Sequence, residues 1–127
     1  MRRAVLDTNV IVSALLSPTG NAALLLGMIS NGLLTPVYCR QILDEYMLVL
    51  TRPRFGFPKN RIDETLGVFD VFGVLVEPQK SDFSMADESD RIFYDTAMAG
   101  AATLITGNLR HYPKKPFIVN PADFLRS

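Results

Sequence analysis

This chain has one cysteine, Cys39, and one histidine, His111, in 127 residues. A lone thiol excludes an internal disulfide and a cysteine zinc cluster, and it fits a reducing compartment. No excess of either charge is present: Lys plus Arg and Asp plus Glu number 13 each. There is thus no global field to draw a polyanion, and nucleic-acid binding would rest on local basic patches. The apolar runs are far shorter than a membrane span. Arg2-Arg3 opens an apolar run that Asp7 breaks too early for a signal peptide. The expected location is the cytoplasm, with no membrane partner. A glycine-rich phosphate loop is also missing, which argues against nucleotide binding.

What is present describes a globular protein: 48% hydrophobic and 20% charged residues. The length suits one domain over residues 1–127 with a core that needs no staple. Short apolar runs alternate with longer amphipathic ones. Ala4–Leu6, Leu34–Tyr38, Val74–Val76, Thr103–Ile105 and Phe117–Val119 read as strands, with Pro36 weakening the second. Val10–Leu16, Asn21–Ser30, Gln41–Leu50, a helix capped by Asn60 and running to Phe72, Asp87–Ala99 stopped by Gly100, and Pro121–Leu125 read as helices. The alternation predicts an α/β fold in three layers, with a mainly parallel sheet of about five strands and helices on both faces.

Asp7 is the most informative residue. It stands where the first strand ends and a helix begins, in the crevice where open α/β sheets put their ligands. A buried carboxylate needs a hydrogen-bond partner, an ion partner or a metal. If the sheet orders these elements as neighbours, three further polar residues can face the same crevice: Glu45 on the helix after the second strand, Asp90 in the first turn of a helix, and Asn108 beyond the fourth strand. Clustered carboxylates repel at low dielectric unless a cation neutralises them. Oxygen ligands with few nitrogens or sulfurs suit Mg²⁺ or Mn²⁺, the usual equipment for hydrolysing a phosphodiester with an activated water. Each residue also has a plainer reading. Asp7 caps a helix, Glu45 is solvated, Asp90 answers a helix dipole, and Asn108 is a turn residue. Asp95 sits about 140° around the helix from Asp90, and Asp87 is the expected cap, so neither is a primary ligand.

Four ordered segments resemble the PIN-domain family of metal-dependent ribonucleases: Val5-Leu6-Asp7-Thr8-Asn9-Val10; Ile42-Leu43-Asp44-Glu45-Tyr46 running into Thr51-Arg52-Pro53-Arg54-Phe55; Asp87-Glu88-Ser89-Asp90-Arg91 through Ala97; and Ala102-Thr103-Leu104-Ile105-Thr106-Gly107-Asn108. The resemblance covers essentially the whole chain and is greatest to the toxin branch of prokaryotic toxin–antitoxin pairs. It implies a doubly wound fold and an endoribonuclease site in which Asp7, Glu45 and Asp90 hold Mg²⁺ or Mn²⁺. Thr8, Asn9 and Thr106 fall where the family orients its acids or water. It also implies an RNA substrate and a cognate antitoxin protein that covers the crevice. Asn108 departs from the family, which commonly has an acid there, and Arg110 stands where another Asp is often seen. Asn offers a carbonyl oxygen but no charge, so the expected site holds one metal well and works modestly. The rival reading is a weak or inactive PIN-like module that binds RNA or a protein; a small phosphatase is a third.

Arg52, Arg54, Lys59 and Arg61 surround Phe55 and Phe57 in one loop, a pattern that either holds phosphates and stacks bases or leaves solvated cations over tucked rings. Arg91 either meets the scissile phosphate or pairs with a nearby acid. His111, Lys114 and Lys115 form a second basic cluster, with His111 read as structural or solvent-facing rather than as acid–base. Cys39 reads as core. The run Ala22-Ala23-Leu24-Leu25-Leu26 is wider than one helix face needs; it is either a homodimer contact or a helix covered by the domain.

Overall fold

In the computed structural model, which describes residues 2–127, the apolar runs form one five-stranded sheet. The strands are β1 (Arg2–Leu6), β2 (Leu34–Tyr38), β3 (Val74–Leu75), β4 (Thr103–Ile105) and β5 (Ile118–Val119). The helices are α1 (Thr8–Leu16), α2 (Asn21–Ser30), α3 (Arg40–Leu50), α4 (Lys59–Phe72), α5 (Arg91–Gly100) and α6 (Pro121–Arg126). Single 3₁₀ turns occupy Glu88–Asp90 and Leu109–His111. The strand order is β3-β2-β1-β4-β5, and every pairing is parallel.

From β1 the chain steps outward through β2 and β3, then crosses back to β4 and β5. Right-handed crossovers that step in opposite directions put their helices on opposite faces. Accordingly α5 packs across β1, β2 and β4, whereas α2 and α4 pack on β2. The reversal makes the carboxyl ends of β1 and β4 the switch point of the sheet, which is where such folds place a site.

The core is built from branched residues of the central strands and three large rings. Tyr46 lies 5.3 Å from Phe69 and 6.5 Å from Phe93, centroid to centroid. Its hydroxyl is fully buried and donates to the Leu6 carbonyl at 2.5 Å. Burial, with Asp7, Cys39 and Glu45 nearby, pushes the Tyr46 hydroxyl well above its usual range, so it stays a donor. The last residue of β1 is thereby fixed from below. Cys39 is buried at the start of α3, with the Thr96 hydroxyl 3.4 Å from its sulfur, in keeping with a core role.

Several expected boundaries move. α1 starts at Thr8 rather than Val10, and α4 at Lys59 with Pro58 as its N-cap, which leaves Asn60 inside the first turn. β3 lacks Val76 and β5 lacks Phe117. Pro36 is tolerated because β3 pairs only with Val37 and Tyr38, so its missing N–H interrupts no ladder on that side. The expected Asp87–Ala99 helix is a 3₁₀ turn followed by α5. The helix does end at Gly100, and the left-handed residue that follows is Ala101, at φ 49°. Gly100 has another duty: a Cβ there would lie 2.5 Å from Val37 Cγ1, so the missing side chain lets α5 close on β2. No single helix among the described residues is long and apolar enough to cross a membrane. Within α2, Ala22 and Leu25 are buried while Leu24 faces outward with Leu16 of α1.

Candidate active site

The register that pairs Leu6 with Ile105 sets the next residues, Asp7 and Thr106, side by side at the switch point. The Asp7 amide donates to the Ile105 carbonyl at 2.9 Å, extending the pairing by one bond. Asp7 holds the N-cap position of α1 by backbone, yet its carboxylate makes no capping bond. Instead Oδ2 accepts from the Thr106 hydroxyl at 2.8 Å and from the Tyr112 hydroxyl at 2.9 Å. Both bonds fall on one oxygen of a carboxylate that is only 5% exposed. The plain capping role of Asp7 is thereby excluded, and Oδ1 is left without a protein donor among the described residues.

The neighbours hold this arrangement. Thr106 Oγ1 accepts from the Asn108 amide at 3.0 Å while donating to Asp7. Asn9 Oδ1 accepts from the Gly107 amide at 2.9 Å, clamping the turn after β4 to the start of α1. A Cβ on Gly107 would stand 3.2 Å from that same oxygen, a tight approach that a larger residue could keep only by shifting the Asn9 side chain. The Thr8 hydroxyl donates to Glu45 Oε2 at 3.2 Å, tying α1 to α3.

Asp90 comes to this end of the sheet from the turn ahead of α5. Asp87 caps that turn by accepting from the Ser89 amide at 3.0 Å and the Ser89 hydroxyl at 2.8 Å. Asp90 Oδ2 lies 3.1 Å from His111 Nδ1. Partial burial, then the negative charges of Asp7 and Asp87, push the Asp90 carboxyl up to about 6, against the opposing pull of His111. The same field acts on Tyr112: burial and the charges of Asp7 and Asp90 drive its hydroxyl far above the usual range, so it remains protonated and donating. Asp7 and Asp90 thus feel each other, and the site carries more negative charge than its own cations neutralise.

A hard divalent ion suits that donor chemistry, since it would offset both the burial and the repulsion that raise Asp90. The described residues do not form a closed cage, however: no three His, Cys, Asp or Glu side chains come together closely enough to hold a metal. Mg²⁺ does not need one, because it keeps several waters and is commonly held by one or two carboxylates with substrate phosphate.

The remaining residues singled out from sequence are placed as follows. Asn108 is exposed and is held through its backbone; its side chain makes no capping bond. Asp95 is buried and accepts from the Ser81 amide at 3.2 Å, which makes it an anchor for the connector before α5. Arg91 has its five N–H donors engaged: Nε and Nη2 with Glu88, Nη1 with the Ser81 carbonyl and hydroxyl, and Nη2 also with the Phe83 carbonyl. That leaves no donor for a phosphate. Arg52 and Arg54 are exposed. Arg54 lies over Phe55 at 4.8 Å, and Phe55 stacks on Phe57 with centroids 5.2 Å apart, so the two rings face each other rather than standing open for bases. Sequence reasoning missed Tyr112 altogether. Flanked by His111, Pro113, Lys114 and Lys115, it reads as loop, and only folding shows that its ring is buried and its hydroxyl aimed at Asp7.

Two comparisons bear on this arrangement. A family model described as a PIN domain matches residues 3–110, a span that includes Asp7, Glu45, Asp90 and Asn108 and stops short of His111 and Tyr112. An uncharacterized protein of Methanocaldococcus jannaschii is 29% identical over 109 residues, covering 84% of this chain and 70% of that protein.

Proposed function

Because this chain belongs to the PIN-domain family, whose members are usually nucleases, we propose that it is a divalent-metal-dependent endoribonuclease. The observation that carries this reading is a buried Asp7 whose two protein donors both fall on Oδ2, leaving Oδ1 without one among the described residues, close enough to Asp90 that burial first and then the charge of Asp7 raise the Asp90 carboxyl. Asp7 and Asp90 would hold Mg²⁺ or Mn²⁺, with Glu45 in the same wall through Thr8. When bound, the ion supplies charge to stabilise the phosphoryl oxygens and makes water a stronger nucleophile at neutral pH.

The chain's own residues prepare that chemistry. Thr106 and Tyr112 fix Asp7 Oδ2, so its other oxygen is oriented before any ligand arrives. Tyr112 keeps its proton and cannot add a further negative charge. His111 steadies Asp90 and moderates the repulsion from Asp7. Asn9 and Gly107 pin the turn that carries Asn108.

Resemblance to the toxin branch supports a toxin role, with a cytoplasmic RNA as substrate and an antitoxin covering the crevice. The exposed Leu16 and Leu24 support a homodimer contact through α1 and α2. A second reading, an RNA- or protein-binding module with little catalysis, is favoured by one observation: Asn108 brings no charge to the site. Incubating mixed structured and single-stranded RNA with Mg²⁺, Mn²⁺ or EDTA separates the two. Metal-dependent cutting lost in Asp7→Asn and Asp90→Asn supports the nuclease. Absence of cutting by the folded wild type selects the binding module.

A further inference from the structure

A cavity of about 370 Å³ opens between the Leu109–His111 turn and β5. Leu109, Tyr112, Pro113 and Ile118 give it apolar walls, and Arg110, Lys114 and Lys115 are the charged residues that line it. Those cations are exposed and, among the described residues, make no ion pair or hydrogen bond. The contrast with Lys59, Arg91 and Arg126 is direct, since each of these has an acid partner. Tyr112 belongs to both places: it is one of the residues lining the cavity, and its hydroxyl donates to Asp7 at 2.9 Å. One side chain therefore separates the cavity from the acids proposed to cut a phosphodiester.

We propose that this cavity is a nucleobase subsite for single-stranded RNA, with Arg110, Lys114 and Lys115 holding the phosphates on either side of the base. The proposal rests on the nuclease reading for its substrate class and adds where the strand lies. A base brings a flat apolar face to Leu109, Tyr112 and Ile118, and its backbone brings regularly spaced negative charge to unpaired cations. An acidic peptide matches the charge but brings no such face, and nothing would align it with Asp7. In a chain without net charge, a local patch of this kind is the form that polyanion binding must take.

Binding of a fluorescently labelled single-stranded oligoribonucleotide, followed by anisotropy in EDTA over a range of salt, tests this without any cleavage. Folding of each variant is first checked by circular dichroism. The double variant Lys114→Ala/Lys115→Ala should weaken binding several-fold and lower the slope of log K against log salt by about 1.4, the value for two lost phosphate contacts on a single strand. Leu109→Ala, which trims the apolar wall without adding charge, should weaken binding of the intact strand. A strand made of abasic sugars should bind wild type less tightly than the intact one and lose the dependence on Leu109. Equal binding of abasic and intact strands, or variants that bind as wild type does, would overturn the subsite. Displacement of the RNA by polyglutamate at equal charge concentration would also overturn it and assign the cavity to an acidic peptide. The two readings fail separately. Wild-type cutting with variant-insensitive binding removes the subsite alone, and variant-sensitive binding without cutting removes the nuclease alone.

Discussion

Replacing Asp90 with Asn removes a negative charge that the fold holds against burial first and then the charges of Asp7 and Asp87, so the metal-free protein should gain stability at neutral pH. The Asp90 carboxyl is raised from 3.8 to about 6, and its side chain is 14% exposed. A difference of this size corresponds to at most about 3 kcal/mol, since each unit is worth about 1.4 kcal/mol. Solvent screening at a partly exposed group reduces that to about 1–2 kcal/mol. The sign follows from proton binding. Between about pH 4 and 6 the native state holds more protons at Asp90 than the unfolded chain does, so stability falls as pH rises through that window. Wild type in EDTA should therefore lose about 1–2 kcal/mol between pH 4 and 7 from this group. Asp90→Asn should lose that component and melt about 3–6 °C above wild type at pH 7.5. Urea unfolding of both proteins across the window, with EDTA and then with Mn²⁺, measures this. Mn²⁺ should stabilise wild type and leave the variant unmoved. A variant that is less stable than wild type at pH 7.5 in EDTA, or that keeps the same pH slope, would refute the reasoning.

Three other outcomes follow from the same contacts. Tyr112→Phe deletes one of the two donors on Asp7 Oδ2; a loss of about 1.5–3 kcal/mol is expected for a hydrogen bond to a charged group, read by urea unfolding, with weaker metal binding alongside. Ala101→Gly should stabilise by about 0.5–1 kcal/mol by relieving a left-handed alanine, whereas Gly100→Ala should destabilise by about 1–3 kcal/mol through contact with Val37; thermal melts of the pair check both signs. Arg91→Ala frees the loop that its guanidinium ties at Ser81, Phe83 and Glu88, so hydrogen exchange should speed up around Ser81–Glu88 first, with the sheet still protected.

The fold was legible because its signals are local. Apolar runs at Ala4–Leu6, Leu34–Tyr38 and Thr103–Ile105 alternate with amphipathic stretches, and this pattern is enough to imply a parallel sheet, while the strand order that puts the switch point beside β1 is set by the fold. Boundaries shifted where tertiary contact decided them. The end of the helix at Gly100 was readable, but the close approach of α5 to Val37 that Gly100 permits was not, because it is a contact between residues far apart in sequence. In the site, the placement of Asp7 and Thr106 at strand ends was readable, but their adjacency waits on the order of the strands, which sets β1 beside β4. The role of Arg91 was not readable, because its acceptors are backbone carbonyls of a connector that has no regular structure. Tyr112 was invisible for a similar reason: no periodicity marks an aromatic whose burial depends on the path of an irregular loop.

If Asp7 and Asp90 share one divalent ion, electron paramagnetic resonance of Mn²⁺ bound to the wild type and to the Asp7→Asn and Asp90→Asn variants reads it directly. One bound Mn²⁺ per chain in wild type, lost in either variant, is the predicted result. Two tight sites, or one site that survives both substitutions, would contradict it.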